Sequence, residues 1–120
     1  MKIIVDIPNF TEEELKCPCC GDLKINNEFL FRIQLIRTNL EFPLKVTSFY
    51  RCSKHNLAVG GKVNSDHLTG SAIDIVYSDD HQLYLITKNA IAFGINKIGV
   101  GPNFIHLGYN KDLISVLWTY

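Results

Sequence analysis

Apolar residues recur along this chain with two different periods. Between positions 27 and 40 they fall three and four apart, at Phe29, Ile33, Ile36 and Leu40, with Leu30 and Leu35 widening the stripe. That spacing gathers them on one face of a helix. Asn26 or Asn27 supplies the cap, and Pro43 follows the end. A second stripe, Leu83, Ile86, Ala90 and Phe93, predicts a helix capped by Asp79 and closed by Gly94. Thr11-Glu-Glu-Glu14 has the spacing of a capping box and predicts a short helical turn, which Cys17-Pro-Cys-Cys-Gly21 breaks.

Elsewhere the period is two. Leu44–Phe49 and residues 71–77 read as strands, and Lys97–Gly101 with Asn103–Leu107 reads as a hairpin turning at Gly101-Pro102. Leu113–Trp118 predicts a last strand, and residues 2–7 a short edge strand ended by Pro8. Tyr50–Gly61 reads as a loop with room for one helical turn. These elements predict one small α+β domain over residues 1–120, an antiparallel sheet with flanking helices.

One residue breaks the apolar pattern. Asp74 sits inside Ala72-Ile-Asp-Ile-Val-Tyr77. Burying a lone carboxylate costs on the order of several kcal/mol unless a partner offsets it. Alternation puts Asp74 on one face with Ala72 and Val76, opposite Ile73 and Ile75. His106 behaves likewise, sharing a face with Phe104 and Gly108 while Ile105 and Leu107 point the other way. His67 arrives from the loop before Asp74, and Gly70 lets the chain turn between them. Two imidazoles and a carboxylate with a vacant fourth position is the donor set of a catalytic zinc. The plainer alternatives are an Arg partner for Asp74 and an ordinary core role for His106.

Composition narrows the choice of partners. Of 120 residues, 47% are hydrophobic and 20% charged, which suits one packed core, and the net charge is zero. Zero net charge argues against nucleic acid as the main partner, since gripping phosphate needs excess Lys and Arg. No apolar run approaches the ~20 residues of a membrane span. The start, Met-Lys-Ile-Ile-Val-Asp-Ile-Pro, is too short and too soon charged for a secretory signal. A target beyond the membrane would then require delivery by another component.

The cysteines stand at 17, 19, 20 and 52, three of them within four residues, so they do not form a spread disulfide framework. Cys17-Pro-Cys-Cys-Gly21 contains C-P-x-C-G, the outline of a zinc knuckle, and Cys52-Ser-Lys-His55 offers two more donors. A structural ion on Cys17, Cys20, Cys52 and His55 is one reading. A disulfide from Cys52 to one clustered cysteine, or free thiols, are the others; Cys19 has no assigned role.

Taken together, the run Val46-Thr-Ser-Phe-Tyr-Arg-Cys, Asn56-Leu-Ala-Val-Gly-Gly, Asn64-Ser-Asp-His-Leu-Thr-Gly-Ser-Ala-Ile-Asp74 and Phe104-Ile-His106 resembles a known family. It is similar to the zinc D-alanyl-D-alanine carboxypeptidases and their phage and bacterial murein-peptidase relatives, which share the hedgehog-like metallopeptidase fold. The resemblance extends from Thr11 to His106 and rests on a specific pattern, S-x-H-x-x-G-x-A-x-D. It implies one catalytic zinc on His67, Asp74 and His106. It implies that Arg51 holds the substrate's carboxylate or scissile carbonyl, as a guanidinium fork can. Ser65 either contacts substrate beside the ligands or shapes the turn. In the family the general base is a carboxylate three residues before or two after the last histidine. Here those positions are Asn103 and Gly108. Asp112, the nearest downstream acid, becomes the candidate base, ahead of Asp66, the glutamates at 12–14 and His81; the plainer alternative is an ordinary solvated Asp112.

The expected function is hydrolysis of peptide bonds in peptidoglycan stems or cross-links by an endolysin-like zinc metallopeptidase. Its partners would be peptidoglycan peptides, with no nucleic acid and no membrane span. The resemblance places it in a host cytoplasm until lysis, or in a virion. One rival is a member of the same fold that binds a wall peptide or a protein without cleaving it. Another is a zinc-ribbon nucleic-acid module, which zero net charge and the lack of a second C-x-x-C disfavour.

Overall fold

The structure is a computed structural model that describes residues 7–120. The edge strand expected over residues 2–7 falls outside these, but for Ile7. Thr11 opens α1 (Glu12–Leu15) as the capping box requires. Its Oγ1 accepts from the Glu14 N–H at 3.3 Å, and Glu14 Oε1 accepts from the Thr11 N–H at 3.0 Å. Leu15 is buried, and its carbonyl accepts from the Tyr50 N–H at 3.1 Å. In α2 (Asn27–Thr38) the cap is Asn26, whose Oδ1 accepts from the Phe29 N–H at 3.2 Å. A third helix, α3 (Ser53–Ala58), occupies part of the segment read as a loop. Asp79 caps α4 (Asp80–Ala92), accepting from the Gln82 N–H at 2.8 Å.

The strands β1 (Lys45–Ser48), β2 (Ala72–Val76), β3 (Lys97–Val100), β4 (Phe104–Gly108) and β5 (Val116–Thr119) form one sheet in the order β1-β2-β4-β3-β5. The first four pair antiparallel, as expected, but β5 joins β3 in parallel and makes the sheet mixed. It also starts later than expected, at Val116 instead of Leu113. The cause is Asn96. Its Oδ1 accepts from the Asn110 N–H at 3.0 Å, its Nδ2 donates to the Leu113 carbonyl at 3.2 Å, and its own carbonyl accepts from the Val116 N–H at 2.8 Å. The chain leaving β4 is thus held on a crossing path until it reaches the start of β3.

Alternation sets the two faces. Ile73, Ile75, Ile105 and Leu107 enter a core shared with Phe29, Ile33, Ile86 and Ala90. Each large aliphatic side chain buried there contributes about 1.5–3 kcal/mol against exposure. On the opposite face the register aligns Ser48, Asp74, His106, Gly99 and Trp118 in one row across all five strands. The core secures the sheet, and this row carries the polar chemistry.

Candidate active site

His67 lies in a 3₁₀ turn, Asp66–Thr69. Ser65 caps that turn, its Oγ accepting from the His67 N–H at 3.2 Å, so it shapes the backbone, and it also lines the cleft beside the three donors. Gly70 ends the turn in the left-handed region, φ 69°, and feeds the chain into β2. The His67 side chain is 2% exposed. Its Nδ1 stands 2.6 Å from the Phe49 carbonyl oxygen. A carbonyl only accepts, so Nδ1 carries a proton, and in the neutral ring Nε2 keeps a lone pair.

That Nε2 is buried and has no hydrogen-bond partner among the described residues. It faces Asp74 Oδ2 at 3.3 Å, while Asp74 Oδ1 lies 2.8 Å from His106 Nδ1. One donor atom from each of the three residues falls within 4.8 Å of the others. A buried lone pair aimed at a carboxylate oxygen is a contact between two acceptors, and a cation between them resolves it. The donor set, two imidazoles and a carboxylate, suits zinc. The Phe49 carbonyl behind His67 is the kind of partner that orients a ligating ring. Burial pushes the Asp74 pKa up, but the facing rings of His106 and His67 outweigh it and hold the carboxyl well below the usual carboxylate range.

Arg51 is fixed from three sides. Its Nε donates to Ser48 Oγ at 3.1 Å, Nη1 to Asn56 Oδ1 at 3.3 Å and Nη2 to Asp74 Oδ2 at 3.2 Å. Buried Asn56 is itself held, its Nδ2 donating to the Lys62 carbonyl at 2.8 Å. Such clamping removes the rotamer freedom that a surface arginine keeps. The plainer expectation of an Arg partner for Asp74 is therefore also met, in the same cluster.

These groups line a cleft of about 590 Å³. Its apolar wall includes Phe104, which alternation had put on the His106 face, and Trp118 and Tyr120, which the sequence did not single out. The Trp118 ring stands 5.6 Å from the His106 ring, and Phe104 packs 5.0 Å from Tyr120. A glycine makes this possible: a Cβ on Gly99 would lie 2.5 Å from Trp118 Cε2. Gly99→Ala is therefore expected to push the indole outward, red-shifting its emission, with the circular dichroism unchanged. Trp118 is the sole tryptophan, so the fluorescence reads this ring alone. An unshifted spectrum would place the ring elsewhere.

Asp112 is not in this cleft. It is exposed and lines a separate depression of about 300 Å³ with Glu28, Tyr109 and Lys111. The Asn96 clamp on the 110–116 segment keeps it there. The glutamates at 12–14 and His81 do not line the cleft either. Asp66 does, and it pairs with Lys97 through Oδ2. A Cβ on Gly108 would lie 3.4 Å from His106 Nε2 and 3.5 Å from Asp66 Oδ2. Asp66 thus reaches the space beside His106 that a side chain at 108 would enter. Among the described residues, Asp66 and Asp74 are the carboxylates lining the cleft, and both oxygens of Asp74 are engaged.

The cysteines also converge, with a correction. Cys17, Cys19, Cys20 and Cys52 place their sulfurs within 4.8 Å of one another, and His55 is not in the group. His55 sits in the first turn of α3, where its backbone N–H donates to Cys52 Sγ at 3.4 Å. Burial pushes the Cys17 thiol up, but N–H groups of Cys52, Cys19 and Cys20 bring its pKa down to about 6.

Among known proteins, a family model described as Peptidase M15 matches residues 8–108. A comparison with curated proteins gave no match.

Proposed function

Since this chain belongs to the M15 peptidase family, we propose that it is a zinc peptidase that cleaves the peptide stems or cross-links of peptidoglycan. The observation that carries this is the buried, unpartnered Nε2 of His67, facing Asp74 and His106 across one small gap. His67, Asp74 and His106 would hold the ion. Bound there, zinc supplies a Lewis acid for the scissile carbonyl and lowers the pKa of a water toward ~7.

The chain's own residues do the remaining work. Arg51 donates N–H groups to the substrate's carboxylate or carbonyl oxygen; held by Ser48 and Asn56, it needs no reorganisation as charge develops. Phe104, Trp118 and Tyr120 pack the substrate's apolar parts and exclude water from that side. Asp66 takes the role first given to Asp112: its carboxylate accepts the proton of the attacking water and returns it to the leaving amine. Lys97 holds Asp66 in position. The observation that favours a binding-only protein, no carboxylate at 103 or 108, loses its weight once Asp66 lines the cleft.

The deciding experiment incubates zinc-loaded protein with purified peptidoglycan and measures new free amines and released D-alanine. Release that a chelator stops and added zinc restores supports the proposal; no release from fully loaded protein overturns hydrolysis and leaves the binding reading. A second expectation concerns the base. Asp66→Asn should lower kcat by about 10²-fold, within the range of general-base losses, with zinc content unchanged. An undiminished kcat would remove Asp66 from the reaction.

A further inference from the structure

The proposed reaction makes no use of the four cysteines, yet the fold brings them together from two distant segments. The Cys17–Gly21 loop is closed by hydrogen bonds: the Cys17 N–H donates to the Asp22 carbonyl at 2.8 Å, and the Gly21 N–H to the Cys17 carbonyl at 2.9 Å. This presents Cys17, Cys19 and Cys20 toward Cys52, the cap of α3. Cys17 Sγ lies 3.7 Å from Cys52 Sγ, Cys19 Sγ lies 3.4 Å from it, and the whole set falls within 4.8 Å. A disulfide would require about 2.05 Å. Four thiolates around zinc at about 2.3 Å are separated by roughly 3.8 Å, the edge of that tetrahedron. The observed spacing surrounds that value. Backbone N–H groups also point at the sulfurs, from Cys52 to Cys17 Sγ at 3.5 Å and from His55 to Cys52 Sγ at 3.4 Å.

We propose that Cys17, Cys19, Cys20 and Cys52 form a closed structural zinc site, separate from the His67 centre. A fourth protein ligand leaves no open position, so the site has no hydrolytic role. Its consequence is mechanical. Cys52 follows Arg51 directly, and the Arg51 N–H donates to the His67 carbonyl at 3.1 Å. The ion would bolt the N-terminal loop to the corner from which both Arg51 and His67 are hung.

The test is zinc content per chain, measured on full-length protein purified under reducing conditions without chelator. Wild type should hold two ions, Asp74→Asn one, and Cys17→Ser one. Cys20→Ser is the second variant, because the Cys20 side chain is exposed and its loss removes no packing. Cobalt substitution of Asp74→Asn should give thiolate-to-cobalt charge-transfer absorption that Cys20→Ser abolishes. Zinc removal should lower the Tm of Asp74→Asn, since binding to the folded state alone stabilises it. A single zinc in wild type, lost in Asp74→Asn and kept in both cysteine variants, overturns this inference and leaves the peptidase reading intact. A single zinc lost only in the cysteine variants supports the inference and overturns the peptidase reading. Fewer than four thiols titrated anaerobically in denaturant with chelator, on a separate batch purified without reductant, would reveal a disulfide and overturn it as well.

Discussion

Asp74→Asn is expected to abolish zinc binding at the His67 centre and to cut hydrolysis by more than the roughly 10²–10⁴-fold that a general base alone contributes. The substitution keeps the shape of the side chain and removes its charge. Two groups take that charge directly, His106 Nδ1 at 2.8 Å and Arg51 Nη2 at 3.2 Å, and an ion held between Asp74 and His67 Nε2 would be the third. An amide has one oxygen and cannot serve them all. Its NH₂ group must also face either a cation or a ring nitrogen. Zinc titration and peptidoglycan cleavage would both report the loss, and retention of either at wild-type level would remove Asp74 from the centre.

The same carboxylate gives a pH signature in the metal-free protein. Its pKa is lowered in the fold from an ordinary value of 3.8. A lowered folded pKa means that the ionised form stabilises the fold above the unfolded value. That stabilisation is lost as pH falls through the folded one. The stability difference between wild type and Asp74→Asn should therefore stay constant from pH 7 down to about 4 and shrink below it. Urea unfolding across that range measures it, and a difference that vanished near neutral pH would contradict the assigned shift.

Much of this site was legible because it rests on local period. Alternation alone sets Asp74 opposite Ile73 and Ile75, and His106 opposite Ile105 and Leu107. Once both apolar sets enter one core, the polar pair must meet on the other face, and the register joins them directly. Caps are equally local, so Thr11, Asn26 and Asp79 were readable as helix starts. What the sequence did not show has a different origin. Asp112 is closer in sequence to His106 than Asp66 is, but the Asn96 clamp turns its segment away. His55 has the spacing of a ligand from Cys52, yet that spacing leads into a helix whose first turn spends the N–H on the sulfur. Trp118 reaches the cleft because β5 runs parallel to β3 over a bare Gly99. Each outcome depends on a contact between segments far apart in the chain, and no short window contains it. A glycine paired with His106 was the one available hint that something large needed the room.

Gly70→Ala is expected to be the costliest single-methyl change for stability, at about 3–5 kcal/mol, the upper range for point substitutions. Two effects add. The left-handed conformation at φ 69° costs an alanine about 1–2 kcal/mol. The new Cβ would also sit 2.0 Å from the Lys24 carbonyl oxygen and 2.7 Å from the Ile25 Cα. Both are backbone atoms, so no rotamer change relieves them. The segment cannot retreat freely either, because the Asn26 N–H donates to the Gly70 carbonyl at 3.1 Å, and Asn26 caps α2. Gly60→Ala separates the two effects. Gly60 has a similar φ, 74°, but a Cβ there meets nothing within 4 Å. Its cost should be the conformational part alone, so urea unfolding of the two variants should differ by about 2 kcal/mol or more. Equal costs would mean that the chain before α2 does not press on the turn. A large gap would mean that the approach of β2 is braced from behind, and that His67 is aimed by the packing of the segment before α2 as much as by its own loop.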